Sequence, residues 1–173
     1  ISTTFNYQTV LSLATNNNDV YAGTNINGVY FSTNNGETWE HSSLRNKKVN
    51  CISIISKNII AGTDDGVYIS TNDGTNWRQY IMQQINGQPD ILSLAINKNY
   101  IYAGSNGRGL FISSNNGMTW SQTNFTISVK SLAIYNDIIF AGTINDGIYI
   151  SKDNGLTWVP KNQGLSKFTS INC

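Results

Sequence analysis

The sequence STNNGETW at residues 32–39 returns three times, as STNDGTNW (70–77), SSNNGMTW (113–120) and SKDNGLTW (151–158). The tryptophans that end these four copies are separated by 38, 43 and 38 residues. Ala-Gly pairs recur with nearly the same period, beginning at positions 22, 61, 103 and 141. Because two different markers share a period of about 40 residues, the chain is built from internal repeats.

Each repeat contains the pattern of four short β-strands. The first strand is an apolar run with a serine, and these serines are Ser12, Ser53, Ser93, Ser131 and Ser170. The second strand carries Ala-Gly, the third resembles GVYIS (66–70), and the fourth begins at the Trp. Val, Ile, Tyr and Phe fill these runs, while Gly, Asn and Asp fill the gaps, as strands and turns prefer. No segment has the 3.6-residue apolar spacing of a helix, so we expect almost none.

A four-stranded antiparallel unit of this length is typical of the blade of a β-propeller. A β-solenoid or a stack of hairpins is the alternative, although solenoid coils usually run about 20–30 residues. We therefore predict an all-β propeller, or a propeller segment, over residues 1–173. Its four blades are expected at residues 9–44, 49–88, 90–125 and 128–163, with the start of another blade at 168–173. The incomplete ends indicate either a slice of a larger propeller or a unit that closes by itself or with a second copy.

The chemistry of the repeated motif explains the turn between the third and fourth strands. An Asx side chain accepts backbone N–H bonds across a turn, and a glycine supplies a positive φ. The Thr hydroxyl closes the turn from the other side, and the Trp buries a large ring between blades. The structural residues predicted in this way are Asn34, Gly36, Trp39, Asn72, Gly74, Trp77, Asn115, Gly117, Trp120, Asp153, Gly155 and Trp158.

The motif Ser-x-Asx-x-Gly-x-Thr-Trp resembles the Asp-box, or BNR, repeat of sialidases, sortilin-like receptors, xyloglucan-degrading hydrolases and photosystem II assembly-factor propellers. The resemblance covers all four repeats, but only the fourth has Asp at the third position, at Asp153. Asn76 also replaces the motif Thr in the second copy. The resemblance implies that binding loops gather at the end opposite the Asp-box turns. It also implies an extracellular or cell-surface location.

Composition narrows the function classes. The chain has 11 Lys and Arg against 10 Asp and Glu, so a nucleic-acid partner is not expected. No apolar run is long enough to span a membrane, so membrane insertion is not expected. His41 is the only histidine and is interpreted as a surface residue, and the sequence predicts no metal and no cofactor. Cys51 and Cys173 are interpreted as separate thiols rather than a bridge.

The candidate chemistry lies in the loops. Sialidases need three arginines around a substrate carboxylate, and Arg78 follows a Trp on an outer strand, so that triad is absent. Asp65 and Asp146 occupy comparable turns and are the candidate acids for glycoside hydrolysis. The candidate ligand-binding residues are Arg45, Lys47, Lys48, Asp64, Arg108 and Tyr80.

These observations predict a non-catalytic binding or scaffold propeller that recognises a protein or a glycan through its loop face. One alternative is part of a glycoside hydrolase propeller. Another is a self-assembling structural module, in which a homo-oligomer completes the ring.

Overall fold

The computed structural model describes residues 8–82, 87–166 and 170–171. In these ranges the chain forms strands and turns with no helix, and the strands make four separate four-stranded antiparallel sheets. The all-β prediction is therefore confirmed, with four-stranded units in chain order.

The sheets follow one another along the sequence, and each sheet keeps its strands in sequence order. The first sheet contains β1 (Val10–Asn16), β2 (Asp19–Thr24), β3 (Val29–Ser32) and β4 (Glu40–His41). The second contains β5 (Val49–Ile55), β6 (Asn58–Thr63), β7 (Gly66–Ser70) and β8 (Arg78–Tyr80). The third contains β9 (Ile91–Ile96), β10 (Ile101–Ser105), β11 (Gly109–Ser113) and β12 (Ser121–Gln122). The fourth contains β13 (Val129–Tyr135), β14 (Ile138–Thr143), β15 (Ile148–Ser151) and β16 (Val159–Pro160). We refer to these sheets as blades one to four.

Apolar side chains from neighbouring blades form the core. One buried cluster joins blades one and two, a second joins blades two and three, and a third joins blades three and four. Trp77, Trp120 and Trp158 each contribute to one of these clusters. A single blade has two apolar faces, so its neighbours on either side provide the burial that it needs.

The pairing of first and second strands corrects one predicted alignment. The glycine of the Ala-Gly pair lies opposite Ser12 in β1 but opposite Cys51, not Ser53, in β5. Ser53 instead pairs with Ile60, two residues further along the strand. A Cβ on Gly62 would lie 2.5 Å from the Cys51 sulfur, so the glycine leaves the space that this larger side chain occupies.

The row of first strands is open. Strand β1 packs on β5, β5 on β9, and β9 on β13, but within the described residues the sheets do not close into a ring. Leu13 on β1 and Tyr135 on β13 are accordingly exposed, at 64% and 69% of their surface.

The predicted further blade at 168–173 lies largely outside the described residues, which include Ser170 and Ile171 of it. The Ile171 amide donates to the Thr143 carbonyl at 3.0 Å. Its side chain lies against Gly142, as Val129 lies against Gly104 one blade earlier. Ile171 therefore takes the place that opens the first strand of a following blade.

Candidate functional site

The Asp-box turns close by the same hydrogen bonds in all four blades. In blade one the Ser32 hydroxyl donates to the Asn34 side-chain oxygen at 2.8 Å and accepts from the Gly36 amide at 2.9 Å. The same oxygen of Asn34 accepts from the Thr38 amide at 3.0 Å. In blade four Asp153 replaces the asparagine, and the Thr157 hydroxyl then donates to its second carboxylate oxygen at 2.5 Å. These donors, with the Thr157 hydroxyl first, lower the pKa of Asp153 to about 2. The polar groups of each turn are thus hydrogen-bonded within the turn itself. These residues stabilise the fold, and we do not consider them candidates for catalysis or ligand binding.

The residue before each motif glycine is also left-handed, which the sequence analysis missed. Asn35 has a φ of 57° and Gly36 a φ of 87°, and Asp73, Asn116 and Asn154 repeat the first of these values closely. Asn and Asp tolerate this region better than other residues with a Cβ. The consistent Asn or Asp at this position was the signal that could have revealed it.

The opposite end of each blade carries the turn between its second and third strands. The last residue before the turn glycine occupies an equivalent place in every blade, which we call the cap position. The cap residues are Asn27, Asp65, Arg108 and Asp146. Three of the predicted candidates therefore share a single structural role, one in each of three blades.

A side chain from the end of each blade holds the cap position through its carbonyl. Gln79, Gln122 and Asn162 donate from their amides to the carbonyls of Asp65, Arg108 and Asp146. His41 does the same in blade one, with its Nε2 2.6 Å from the Asn27 carbonyl oxygen. Its ring also stacks on Tyr30, with centroids 4.3 Å apart. His41 is half-buried and holds a turn as the amide side chains do, a role that its interpretation as a surface residue did not include.

In blade two the cap carboxylate is already occupied. The Lys47 ammonium lies 2.5 Å from an Asp65 carboxylate oxygen and 5.8 Å from the centre of the Tyr68 ring. The Tyr68 hydroxyl donates to the same oxygen at 3.4 Å. The hydrogen bond with Asp65 raises the pKa of Lys47. Asp65 is therefore engaged by a cation, and its oxygen is not free to accept a proton from a substrate.

Among the candidate basic residues Arg45, Lys47 and Lys48, the charge of Lys47 is paired with a carboxylate. Asp64 accepts from the Lys48 amide at 3.2 Å, so two carboxylates of blade two lie beside Lys47 and Lys48. Arg45 is directed to its own loop, since its Nε donates to the Ser42 carbonyl at 3.2 Å. The structure thus combines these basic residues with acidic ones and does not leave a purely cationic surface.

Two other candidates take different positions from those expected. Tyr80 is half-buried, packs against the cluster between blades two and three, and has the Arg78 guanidinium 5.6 Å from its ring centre. The candidate ligand-binding residue Tyr80 thus has part of its ring packed against the core and part exposed. Arg108 is half-buried at the cap position of blade three.

Blade four has an open groove of about 410 Å³ beside its cap position. Its walls are formed by Asn145, Asp146, Gly147, Tyr149, Asn162, Leu165 and Ser166. Within the described part of the chain, the Asp146 carboxylate has no hydrogen bond or ion pair. It is also the only carboxylate among the described groove residues. The groove can therefore offer one free negative charge beside a half-buried phenol ring.

Other kinds of site find no support in the described ranges. No group of three or more His, Cys, Asp or Glu side chains is placed there to hold a metal ion. Those ranges likewise contain no helix with the length and apolar character needed to cross a bilayer. Cys51 is a free thiol whose pKa burial raises to about 12, and Cys173 lies outside the described residues.

Comparison with known proteins agrees with this geometry. Residues 30–41, which contain the first Asp-box turn, match the model of the BNR/Asp-box repeat. The fold is a β-propeller of four-stranded antiparallel blades with Asp-box turns. No curated protein sequence matches it.

Three solved structures resemble this propeller. An ancestral GH74 enzyme is 26% identical with a TM-score of 0.72, and the match covers 89% of this chain and 24% of that one. The extracellular domain of the one-component system BT4673 from B. thetaiotaomicron is 17% identical with a TM-score of 0.75, covering 94% and 24%. YCF48 bound to D1 peptide is 13% identical with a TM-score of 0.64, covering 88% and 52%. This chain thus spans about half of the YCF48 chain and about a quarter of the other two.

Proposed function

We propose that this propeller is a non-catalytic binding or scaffold module that engages its partner through the loop face, the end that carries the cap positions. The observation that carries the proposal is the contrast between Asp65 and Asp146. The first is paired with Lys47, and the second stands alone in an open groove. The blades of this module are residues 9–44, 49–88, 90–125 and 128–163.

Two features argue against hydrolysis by this surface. Glycoside hydrolysis normally needs two carboxylates about 5–10 Å apart, one of which gives or takes a proton. The groove of blade four offers one carboxylate among the described residues. In blade two the Asp65 carboxylate is paired with the Lys47 ammonium, which occupies the oxygen that a substrate would need to approach. A loop face with one free and one paired carboxylate supports ligand binding rather than hydrolysis.

The partner is a protein or a glycan, and a protein is the better supported of the two. YCF48, a structural relative, was solved bound to D1 peptide, so the architecture is compatible with peptide binding. The BT4673 relative is an extracellular domain, which favours the predicted extracellular location of this chain.

The test compares two exposed leucines of blade four, one at each end. Leu165 lines the groove, whereas Leu156 lies in the Asp-box turn and is 74% exposed. The chain and its Leu165→Ser and Leu156→Ser variants are screened for binding to peptide and glycan arrays. We expect saturable binding that Leu165→Ser weakens and Leu156→Ser preserves. Binding that only Leu156→Ser removes would place the functional surface at the Asp-box end and would contradict the proposal of a loop-face site.

A part of a glycoside hydrolase is the second candidate, favoured by the 26% identity to the GH74 enzyme over most of this chain. Its test measures reducing ends released from xyloglucan and related polysaccharides by the chain and by an Asp65→Asn, Asp146→Asn double variant. Release that the double variant abolishes would replace the binding proposal with this one. We expect no release from either protein.

A self-assembling module remains the third candidate, because apolar residues such as Leu13 and Tyr135 are exposed on the two end blades. Exposed apolar faces of this kind are association surfaces. Light scattering after size exclusion distinguishes a 19.1 kDa monomer from a discrete dimer. A dimer that Leu13→Ser dissociates would support assembly through the end blades.

A further inference from the structure

Blade two contains an internal example of ligand recognition. An ammonium group, that of Lys47, is held by the carboxylate of the cap residue Asp65 and lies over the ring of Tyr68. The cap residue and the tyrosine belong to one short segment, Asp-Gly-Val-Tyr at 65–68. A carboxylate supplies charge-assisted hydrogen bonds, and an aromatic face attracts the same cation through its quadrupole.

Blade four repeats this pair of side chains. The segment 146–149 reads Asp-Gly-Ile-Tyr, and Asp146 occupies the cap position just as Asp65 does. The amide of each cap residue donates to a threonine hydroxyl of the preceding strand, at 3.0 Å in blade two and 2.9 Å in blade four. A carboxamide side chain donates to each cap carbonyl, from Gln79 in one blade and Asn162 in the other. The blade-four turn is one residue longer, with three residues between Thr143 and Gly147 against two between Thr63 and Gly66. In both turns the cap residue precedes the glycine and makes the same two hydrogen bonds.

The residue that fills the blade-two pair is missing from blade four. Lys47 stands two residues before Val49, which opens β5, and Ile127 stands two residues before Val129, which opens β13. Ile127 is half-buried in the cluster between blades three and four and carries no charge. An isoleucine cannot pair with a carboxylate, and the space beside Asp146 and Tyr149 is the open groove described above.

The other two blades do not offer this combination. In blade one the cap residue is the uncharged Asn27, and His41 covers the ring of Tyr30. In blade three the cap residue is Arg108, and Phe111 is 1% exposed. In blade four the Tyr149 ring meets Phe125 edge to face at 5.2 Å but still lines the groove. A free carboxylate beside a tyrosine that lines a groove therefore occurs, among the described cap positions, in blade four.

We propose that the groove of blade four binds the ammonium group of a lysine side chain presented by a protein partner, with Asp146 as the counter-ion and Tyr149 as the aromatic wall. This proposal rests on the proposed binding function and specifies the chemistry of its loop-face site. Lysine carries its charge at neutral pH and has a four-carbon stem that lets the ammonium enter a groove while its backbone stays outside. Electrostatic screening by salt should weaken the contact, because Asp146 is exposed.

The direct test is an NMR titration of the isotope-labelled chain with Nα-acetyl-lysine N-methylamide. Saturable shifts are expected at the amides of Asn145, Asp146 and Gly147. The same compound with an acetylated side-chain nitrogen has no charge and should bind at least about tenfold more weakly. Asp146→Asn should cause a loss of similar size, while Asp137→Asn, the same charge change at the other end of the blade, should have no effect.

A gain of binding provides an independent test. Lys47→Met removes the internal ammonium from Asp65 and Tyr68, so the probe should then shift the amides of Asp65 and Gly66 as well. The same variant must leave the blade-four titration unchanged. If Lys47→Met opens no second site, the analogy between the two blades is wrong.

The outcomes distinguish the lysine site of blade four from the proposed loop-face binding function. Equal binding of the charged and acetylated probes, or full binding by Asp146→Asn, would overturn the lysine site, while loop-face binding of another ligand would keep the proposed function. Absence of loop-face binding to any ligand in the array screen would overturn both.

Discussion

Replacing Trp120 by alanine tests the stacking of blades most directly. Its side chain is 5% exposed and packs in the cluster between blades two and three. The indole N–H donates to the Gly117 carbonyl at 2.9 Å, which ties the ring to its own Asp-box turn. The substitution therefore removes both an inter-blade contact and a turn contact.

The expected loss follows from the buried area. A tryptophan that buries about 150–250 Å² is worth roughly 4–6 kcal/mol at 25 cal/mol per Å². Measured large-to-small core substitutions of this kind cost about 3–5 kcal/mol, because the surroundings relax into part of the cavity. We expect about 3–5 kcal/mol for Trp120→Ala, which lowers the melting temperature by roughly 6–20 °C in a domain of this size.

Trp39 provides the matched control, since it ends the equivalent motif of blade one. It is half-buried and belongs to the end blade, which has no described neighbour on its outer side. Trp39→Ala should cost about 1.5–2.5 kcal/mol, in proportion to its smaller buried area. Trp120→Phe keeps most of the apolar contact and should cost about 1–2 kcal/mol, largely through the lost hydrogen bond.

Urea denaturation followed by far-ultraviolet circular dichroism measures all three variants without relying on tryptophan fluorescence. Free energies from linear extrapolation should rank Trp120→Ala well above the other two. A loss below about 1 kcal/mol for Trp120→Ala would refute the role of this ring in the core. Equal losses at Trp120 and Trp39 would refute the open end of blade one.

Three further predictions concern single residues. The pKa of Asp153 is lowered from 3.8 to about 2, so its carboxylate stabilises the fold above pH 4 and loses this effect as the pH falls towards 2. Melting curves across this range should show a smaller acid-induced decrease for Asp153→Asn than for the parent chain, and parallel curves would contradict the carboxylate's role. Burial raises the pKa of Cys51 to about 12, so iodoacetamide at pH 8 should label it slowly in the folded chain and rapidly in urea, with the other cysteine replaced by serine. Fast labelling of the folded chain would show that the thiol is accessible. Gly109→Ala should destabilise the chain more than Gly107→Ala, because both glycines have a φ near 70° but only a Cβ at Gly109 would collide with the Phe125 carbonyl. Equal melting temperatures for the two variants would rule out that collision.

Local chemistry explains why the repeats could be predicted. The Asp-box motif contains its own hydrogen-bond donors and acceptors within eight residues. The turn from Ser32 to Trp39 can therefore be predicted from the motif alone. Apolar strands alternate with short turns of Asn and Gly, so consecutive strands are predicted to pair as an antiparallel meander. The error at Ser53 arose because periodic spacing locates a strand but not its register. The same bulge occurs in the first strand of every blade, and in blade two the position opposite the glycine is Cys51, with Ser53 two residues further on.

The roles of the loop residues could not be predicted in the same way. Asp65 and Asp146 look alike in the sequence, since each precedes a Gly and stands three residues before a Tyr. The difference between them comes from the preceding loop, which brings Lys47 to Asp65 but has, in blade four, Ile127 packed in the core between blades three and four. The same reasoning applies to His41, whose partner Asn27 lies 14 residues away across a sheet.

The sequence by itself determined the repeated unit, its four strands and the turns that join them, because these depend on neighbours along the chain and on backbone preferences. Only the tertiary structure decided which carboxylate is neutralised and which remains free in a groove. That choice depends on contacts between side chains from different loops, such as Lys47 and Asp65, which are 18 residues apart. The stacking of the blades brings such residues within bonding distance, and periodicity alone does not specify these pairs.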